Sequence, residues 1–435
     1  MDIKLIRIET YGLKNIKRSI EIDFSSTTIN KKVKPYPVKA IFGMNGAGKS
    51  ALINSIELYK NLILKRDYIR NDWNAKDLYK LINKETKEFF FKIYFQVDNK
   101  NLLTFSHEIN VKSNKEGFYI ANEKMNQLLG QTINSNETLN IYEIKSGVLK
   151  CNKSLGTNDF ILDKTLNLLF TTSLTSVLTS LPISEQVLKE SKKHDEISNQ
   201  EIMVSTLYLF DLANKIITYS DFTDYVHFKH YFILHGEKQY NTAYLDVNIS
   251  SQDDLISIKN FKAYSANIKK LEEFIKIFKH DLKSIDITKK IDGNYYHCQK
   301  NFNYGNYIVE SEFESSGIQK MIKLHSYINY AIQGKFVFID ELDASINGVF
   351  LDKLIDFFNE YGKGILCFTS HNLEPIRILK NKTKALMFMG ETGKLVYWTR
   401  SGNANPANYY REGMIEDSPF NMDIYDFYNA FDVEE

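Results

Sequence analysis

Hydrophobic and polar residues alternate near the start of the chain and again between residues 89 and 111. Alternation with a period of two predicts half-buried strands. The segments that show it are KLIRIET, SIEIDF, FFFKIYFQV and LLTFSHEINV. The last two should form a hairpin around DNKN. The mainly apolar run VKAIF, Val38 to Phe42, predicts a further buried strand.

Apolar residues recur at helical spacing directly after residue 50 and in three segments between residues 162 and 282. The segments are ALINSIELYKNLIL, LDKTLNLLFTTSLTSVL, MVSTLYLFDLANKII and IKKLEEFIKIFKHDL. The last three predict a mainly helical insertion over residues 126–290. No heptad pattern persists over several repeats, so a long coiled coil is not expected. The charged run KESKKHDEISNQE within the insertion should be a solvated loop or helix face.

Strand-like segments return in the C-terminal part of the chain. They are NYIVESEF, KFVFID, GILCFTS and KALMFM, and the helical NGVFLDKLIDFFNEY separates the second from the third. Strands that alternate with helices predict βαβ units and a parallel sheet. The expected fold class is therefore α/β, with a core assembled from residues 1–125 and 291–395. The acids and aromatics of residues 396–435 predict a docking or packing tail.

Composition and charge narrow the class of protein. The 435 residues are 43% hydrophobic and 25% charged, which is ordinary for a soluble globular protein. The balance of 55 basic and 54 acidic residues gives a net charge of +1, which argues against a nucleic-acid binder that uses its whole surface. Three scattered cysteines predict a reducing, cytoplasmic setting. No export signal or membrane span is expected.

A glycine-rich phosphate loop is the strongest chemical signal. GMNGAGKS, Gly43 to Ser50, fits G-x-x-x-x-G-K-[ST] and lies between a predicted strand and a predicted helix. Its backbone amides would surround the β-phosphate of ATP, Lys49 would neutralise the β and γ oxygens, and the Ser50 hydroxyl would bind Mg²⁺. The expected ATP-binding residues are Gly43, Asn45, Gly46, Ala47, Gly48, Lys49 and Ser50. The alternative is a plain glycine turn with an exposed lysine.

Two later strands end in candidate catalytic residues. In KFVFIDEL, Asp340 would hold Mg²⁺ directly or through water, and Glu341 would polarise the attacking water as general base. The alternative is an acidic strand end before a helix N-cap. His371 in CFTSHN ends a strand that follows the Asp-Glu strand by one helix, so the two strands should be neighbours. His371 could then hydrogen-bond the γ-phosphate or the attacking water, although a lone histidine is usually structural.

The segment ESSGIQKM predicts a second anion site. Ser315, Ser316 and Gly317 stand where a loop turns into an amphipathic helix. Free backbone N–H groups and the helix dipole favour an anion there. The site lies some 270 residues after the phosphate loop.

The order of these motifs resembles that of the ABC-type ATPase heads of SMC, RecF and Rad50 proteins. SSGIQ is similar to their LSGGQ-like signature, with Ile318 in place of the second glycine. The resemblance implies that the signature caps ATP bound to a partner head, so that ATP lies between two protomers in a head-to-head dimer. The residues it assigns to this trans signature are Ser315, Ser316, Gly317 and Gln319. LDASIN resembles the D-loop at the dimer interface, with Ser345 and Asn347, and no Q-loop glutamine is evident.

A finer resemblance is to the compact ATPases of anti-phage defence, of the abortive-infection, PARIS and OLD-like kinds. IRIETYGLKNIKRSIEIDF, LEEFIKIFKHDLKSIDI, ESSGIQKM, FVFIDELDASIN and TSHN carry it, in that order. It implies an ATP-controlled sensor that self-associates, responds to a phage-encoded trigger and controls a separate effector nuclease or toxin. The alternative is a RecF-like DNA-repair ATPase whose lysine-rich segments NIKR and NKKVK contact DNA, although such runs are more often solvated surface.

Overall fold

The computed structural model describes residues 1–99, 101–151, 168–180, 197–220, 249–344, 348–382, 384–399 and 404–418. The strands are β1 (Asp2–Tyr11), β2 (Ile20–Asp23), β3 (Val38–Gly43), β4 (Glu88–Asp98), β5 (Leu102–Asn114), β6 (Gly117–Leu128), β7 (Thr138–Lys145), β8 (Val148–Cys151), β9 (Ile216–Tyr219), β10 (Asp254–Ser257), β11 (Ser284–Asp292), β12 (Tyr295–Asn303), β13 (Ile308–Glu310), β14 (Phe336–Ile339), β15 (Ile365–Ser370), β16 (Leu386–Met389) and β17 (Leu395–Tyr397). The α-helices are α1 (Lys49–Leu64), α2 (Asp72–Leu81), α3 (Leu174–Ser180), α4 (Ile197–Lys215), α5 (Phe261–Lys276), α6 (Ser316–Ile332), α7 (Gly348–Tyr361), α8 (Ile376–Leu379) and α9 (Pro406–Arg411).

A seven-stranded antiparallel sheet is built from the N-terminal part of the chain, in the order β2-β1-β4-β5-β6-β7-β8. The hairpin expected around DNKN is present, with Asp98 opposite Leu102 at its closed end. One face of the sheet packs on α1, where the rings of Tyr59 and Phe91 stack with centroids 4.2 Å apart. The alternating pattern of β4 follows from this burial of one face.

A six-stranded sheet forms the second layer, in the order β17-β16-β3-β15-β14-β9. Its strands β16, β3, β15, β14 and β9 are parallel, and β17 is antiparallel to β16. Strands β3, β14, β15 and β16 are buried along their whole length, which explains their continuous apolar sequences. Because β3 comes from the N-terminal part and β14 to β16 from the C-terminal part, the α/β core assembled from both ends of the chain is confirmed.

A third, smaller sheet has the order β10-β12-β11, with β13 also paired to β12. It packs against α5 and α6 around a core that includes Leu271, Phe302 and Ile322. Helix α6 also contributes Leu324 and Ile328 to the core that covers the parallel sheet. The same helix therefore joins the small sheet to the central layer.

Residues 126–290 contain more strand than their periodicity predicts. Strands β7 and β8 extend the antiparallel sheet, and the expected boundary at residue 125 falls inside β6. Strand β9 follows α4 without a break and pairs with β14. Its four residues, IITY, continue an apolar helical run, and only their pairing with a distant strand makes them extended. Helices α3, α4 and α5 overlap the three predicted helical segments, although the described residues 168–173, 216–217 and 277–282 of those segments are not helical.

The division of the chain into the four parts 1–125, 126–290, 291–395 and 396–435 stays a prediction. The charged run at 189–201 and the last seventeen residues of the tail lie wholly or mostly outside the described residues. No helix in the described parts of the chain is both long and apolar enough to cross a membrane.

Candidate functional site

The phosphate loop joins the end of β3 to the start of α1. Gly48 has φ +114°, in the left-handed region that glycine adopts without strain. At Gly43 a Cβ atom would stand 2.6 Å from the Met389 carbonyl oxygen, so only glycine fits against the neighbouring strand. The Asn15 side-chain amide donates to the Gly46 carbonyl oxygen and ties the loop to the β1–β2 connection. The loop therefore has a fixed shape, with Asn45 and Gly46 exposed at its tip.

The Lys49 ammonium lies inside this loop. It donates to the carbonyl oxygens of Gly43 (2.7 Å) and Met44 (2.9 Å), and its side chain is buried. Burial lowers the pKa of Lys49 to about 8, and the carboxylates of Asp340, Glu341 and Asp343 oppose that shift. Three acids from a segment almost 300 residues away thus lie close enough to act on the lysine.

Asp340 and Glu341 directly follow β14, and a threonine of β15 holds both of them. The Thr369 hydroxyl donates to Asp340 Oδ1 (2.5 Å) and accepts from the Glu341 backbone N–H (2.8 Å). The Asp340 N–H donates to the Tyr219 carbonyl oxygen at the end of β9 (2.8 Å). Thr369 thus uses one oxygen of Asp340, and no hydrogen bond among the described residues uses the other.

Glu341 has φ +50°, which is unusual for a residue with a side chain. Its carbonyl oxygen accepts from Lys320 Nζ (2.8 Å) and from the Ala344 N–H (3.1 Å). Together with the Thr369 contact, these bonds engage both the N–H and the carbonyl group of Glu341 and so hold the residue in the left-handed conformation. Lys320 belongs to the first turns of α6, so the helix that begins at the signature directly contacts the backbone of Glu341.

The imidazole of His371 lies between the lysine and the glutamate. Its Nδ1 atom is 3.5 Å from Lys49 Nζ, and its Nε2 atom is 3.6 Å from Glu341 Oε1. Strand β15, which leads to His371, lies between β3 and β14 in the sheet. The predicted adjacency of the His and Asp-Glu strands is therefore observed, and three separate motifs meet at one edge of the sheet.

Asp343 was not among the residues predicted from sequence. Its Oδ2 atom accepts the backbone N–H groups of Asn372 (2.9 Å) and His371 (3.3 Å), so it fixes the turn that carries the imidazole. Thr369, Lys320 and Asn15 were also missed. Asp343 directly follows DEL, Thr369 begins TSHN, Lys320 directly follows SSGIQ, and Asn15 lies shortly after the first strand. These positions were the only signal in the sequence, because each of the four residues acts on a partner that is distant in sequence.

The signature segment begins α6 at Ser316, with Ser315 as N-cap. The Ser315 hydroxyl accepts from the Ile318 N–H (3.4 Å), and both serines are exposed. The Gln319 amide donates to the carbonyl oxygens of Glu312 (2.7 Å) and Glu314 (2.9 Å), so it supports its own loop. Ile318, in place of a second glycine, is buried in the core under the small sheet.

Within one chain, no hydrogen bond or ion pair among the described residues joins Ser315 or Ser316 to the phosphate loop. Gly317 lies in the first turn of α6 beside them. The exposed helix start is thus open to a ligand that the loop of the same protomer does not hold. The predicted D-loop residues Ser345 and Asn347 lie outside the described residues. Gln96 is buried and bonds to the 29–33 segment, which is a structural role.

The donors at the sheet edge suit a hard divalent cation. Ser50 and Asp340 offer oxygen atoms, and Mg²⁺ is usually held by one or two such groups together with substrate phosphates and water. Among the described residues, no group of three or more His, Cys, Asp or Glu side chains could hold a metal alone. The residues therefore fit a magnesium ion that arrives with a phosphorylated ligand.

No protein-family model matches the chain, and no curated protein matches its sequence. The chain is similar to a solved SMC head bound to the C-terminal winged-helix domain of ScpA, with 13% identity, a TM-score of 0.42, and 90% of this chain and 97% of that chain covered. It is also similar to the recombination mediator RecF with ATP (11% identity, TM-score 0.37, 91% and 98% covered). A second RecF structure, described as RecF-ATPrS, gives 13% identity and a TM-score of 0.35 over 91% and 98% of the two chains.

Proposed function

We propose that the protein is an ABC-type ATPase that binds ATP with Mg²⁺ in the phosphate loop and hydrolyses it. The observation that carries the proposal is the position of His371, whose two ring nitrogens lie 3.5 Å from Lys49 and 3.6 Å from Glu341. A phosphate-loop lysine, a carboxylate and a histidine at one edge of a parallel sheet can together bind a terminal phosphate and orient an attacking water.

Each residue has a distinct role in this proposal. Lys49 neutralises the phosphate oxygens, and the backbone of residues 43–48 surrounds them. Glu341 accepts a proton from the attacking water, and His371 donates to the γ-phosphate or orients that water. Ser50 and Asp340 would hold Mg²⁺, which supplies positive charge to the phosphate oxygens when bound.

The signature supports a sandwich dimer. Ser315, Ser316 and Gly317 present an exposed helix N-terminus that has no described bond to the phosphate loop of the same chain. In the proposed head-to-head dimer this helix start caps the γ-phosphate of ATP on the partner protomer. ATP would then stabilise the dimer, and hydrolysis would release it.

The direct test is ATP hydrolysis as a function of protein concentration, for the wild type and for Lys49→Ala. Specific activity should rise with concentration until the dimer saturates, and Lys49→Ala should neither bind nor hydrolyse ATP. Wild-type protein without ATPase activity at any concentration, in the presence of Mg²⁺, would contradict the proposal.

We further propose that the ATPase is a regulatory subunit of an anti-phage defence system in the cytoplasm. The order of the motifs ESSGIQKM, FVFIDELDASIN and TSHN supports this role through their resemblance to defence ATPases. A separate effector nuclease or toxin would be its partner, and a phage product its trigger. The alternative is a RecF-like ATPase that clamps DNA.

Phage plating on cells that carry the gene with its native neighbours distinguishes the defence role from the DNA-clamp role. Protection that is lost in Lys49→Ala would support the defence role. No protection against a broad phage panel, combined with DNA-stimulated hydrolysis that falls steeply with salt, would favour the DNA clamp.

A further inference from the structure

A cavity lies at the opposite ends of the strands that carry the proposed ATP site. It has a volume of about 480 Å³ and is lined where β14 and β15 begin, at Phe336 and Ile365. Asp340 and His371 follow the other ends of the same strands. A four-residue strand such as β14 is about 13 Å long, so at least the length of this strand separates the two sites.

Four lysines line this cavity: Lys4, Lys215, Lys335 and Lys363. They come from β1, the end of α4, the position directly before β14 and the turn before β15. Among the cavity-lining residues that the structure describes, Asp2 is the one carboxylate, so the lining carries four positive charges against one negative. The rest of the lining includes the apolar side chains of Leu5 and Phe336.

The one lining carboxylate already has two partners. Asp2 Oδ2 lies 3.3 Å from Lys4 Nζ and 3.6 Å from Lys32 Nζ, a lysine outside the cavity. Asp2 therefore acts on Lys4, Lys32 and Lys215 together, and it is not among the charges that act on Lys335. Asp211, an exposed residue of α4, is the other acid that acts on Lys215, and it also acts on Lys335.

The environment of the inner lysines opposes their charge. Burial lowers the pKa of Lys215; the Asp2 carboxylate opposes that shift, and the neighbouring Lys335 and Lys4 add to it. Burial also lowers the pKa of Lys335, with Lys60 adding to the shift. Lys335 Nζ donates to the Asn214 carbonyl oxygen at the end of α4 (3.2 Å), which holds it beside the cavity. Like charges brought together and partly dehydrated are stabilised by a bound anion.

We propose that this cavity binds a small polyphosphate-bearing molecule. Lysines from four segments of the chain line one space, and lysine binds phosphate as a compact point charge. A volume of about 480 Å³ lies within the range of small-ligand pockets, and the apolar wall would accept a non-phosphate part of the ligand. This site is separate from the phosphate loop and does not depend on the proposed ATPase activity.

Calorimetric titration with inorganic pyrophosphate tests the proposal. Lys49→Ala is the starting protein, because it removes the phosphate-loop lysine that would also bind the probe. One binding event is expected, and it should weaken as salt is added. The double variant Lys215→Ala/Lys335→Ala, made in the Lys49→Ala protein, should bind pyrophosphate at least about tenfold more weakly, because charged hydrogen bonds are lost.

Two further variants guard against a folding artefact. Lys363→Glu, at the exposed rim of the cavity, should also weaken binding. Lys262→Ala/Lys353→Ala removes the same charge as the double variant from exposed positions elsewhere and should leave binding unchanged. The proposal is overturned if pyrophosphate does not bind the Lys49→Ala protein, if both cavity variants bind as tightly as that protein, or if citrate binds more tightly than pyrophosphate.

Discussion

The hydroxyl of Thr369 and the carboxylate of Asp340 lie 2.5 Å apart, across the pair of strands β15 and β14. The same hydroxyl oxygen accepts the N–H of Glu341 at 2.8 Å. One completely buried side chain therefore sets the orientation of the proposed magnesium ligand and of the residue next to it, the proposed general base.

Replacing Thr369 with Val removes this hydroxyl while keeping the shape of the side chain. We expect kcat for ATP hydrolysis to fall by about 10- to 100-fold, because small displacements of catalytic groups cost that much. Steady-state kinetics with a parallel measurement of ATP affinity checks this. Thr369→Ser keeps the hydroxyl and should retain most of the activity; equal losses in the two variants would show that the methyl group matters instead.

Replacing Glu341 with Gln should separate ATP binding from ATP hydrolysis. Without a carboxylate to accept a proton, kcat should fall by about 10²- to 10⁴-fold. ATP should still bind, so the proposed ATP-bound dimer should accumulate and be visible by light scattering after size exclusion. A Glu341→Gln protein that hydrolyses ATP at the wild-type rate would contradict the assignment of the general base.

Replacing Ser316 with Arg should block the trans contact. The residue is exposed at the start of α6, so a large cation there should not disturb the fold. ATP binding should be unchanged, while kcat should fall by about a hundredfold because the γ-phosphate loses the signature. Asn136→Arg, in an exposed loop of the antiparallel sheet, is the matched control. Normal turnover of Ser316→Arg would contradict the sandwich dimer.

ATP affinity should depend on pH through Lys49. Burial lowers the pKa of this lysine to about 8, and ATP phosphates favour its protonated form. Binding therefore takes up a proton at higher pH, and Kd should rise by about tenfold per pH unit above pH 8. Calorimetry in two buffers of different ionisation enthalpy measures this uptake. A Kd that stays constant across this range would show that the lysine remains charged.

Folding stability should depend on pH through His325. Burial, with a smaller effect of Lys270, lowers the pKa of His325 from 6.5 to about 4. The unfolded chain then binds a proton that the folded protein does not, so stability is lost as pH falls from 6.5 towards 4. At pH 5 the loss is about 2 kcal/mol.

Denaturant unfolding at pH 7 and pH 5 measures this loss. The wild type should lose about 2 kcal/mol more than His325→Leu, since leucine cannot take up the proton. If both proteins lose the same free energy of unfolding, other groups account for the acid sensitivity.

The sequence by itself determined the features that consecutive residues encode. The phosphate loop needs glycines at fixed spacing and a lysine directly after Gly48, so GMNGAGKS could be recognised without knowledge of any residue distant in sequence. The long alternating strands β4 and β5 and the helix α1 were equally clear, because their patterns extend over nine or more residues. The apolar strands that lead to Asp-Glu and to His371 were identified instead from short continuous apolar runs on either side of a helical segment.

Only the tertiary structure decided which distant residues meet. Strand β9 is extended because β14 offers it a hydrogen-bonding edge, although its sequence continues a helical run. Thr369, Asp343 and Lys320 act on Asp340, Glu341 and His371 through strand order and helix packing. The lysine cavity joins residues 4, 215, 335 and 363, which no local pattern connects. Local periodicity records which face of an element is buried, whereas the identity of the neighbour is fixed only when the whole chain folds.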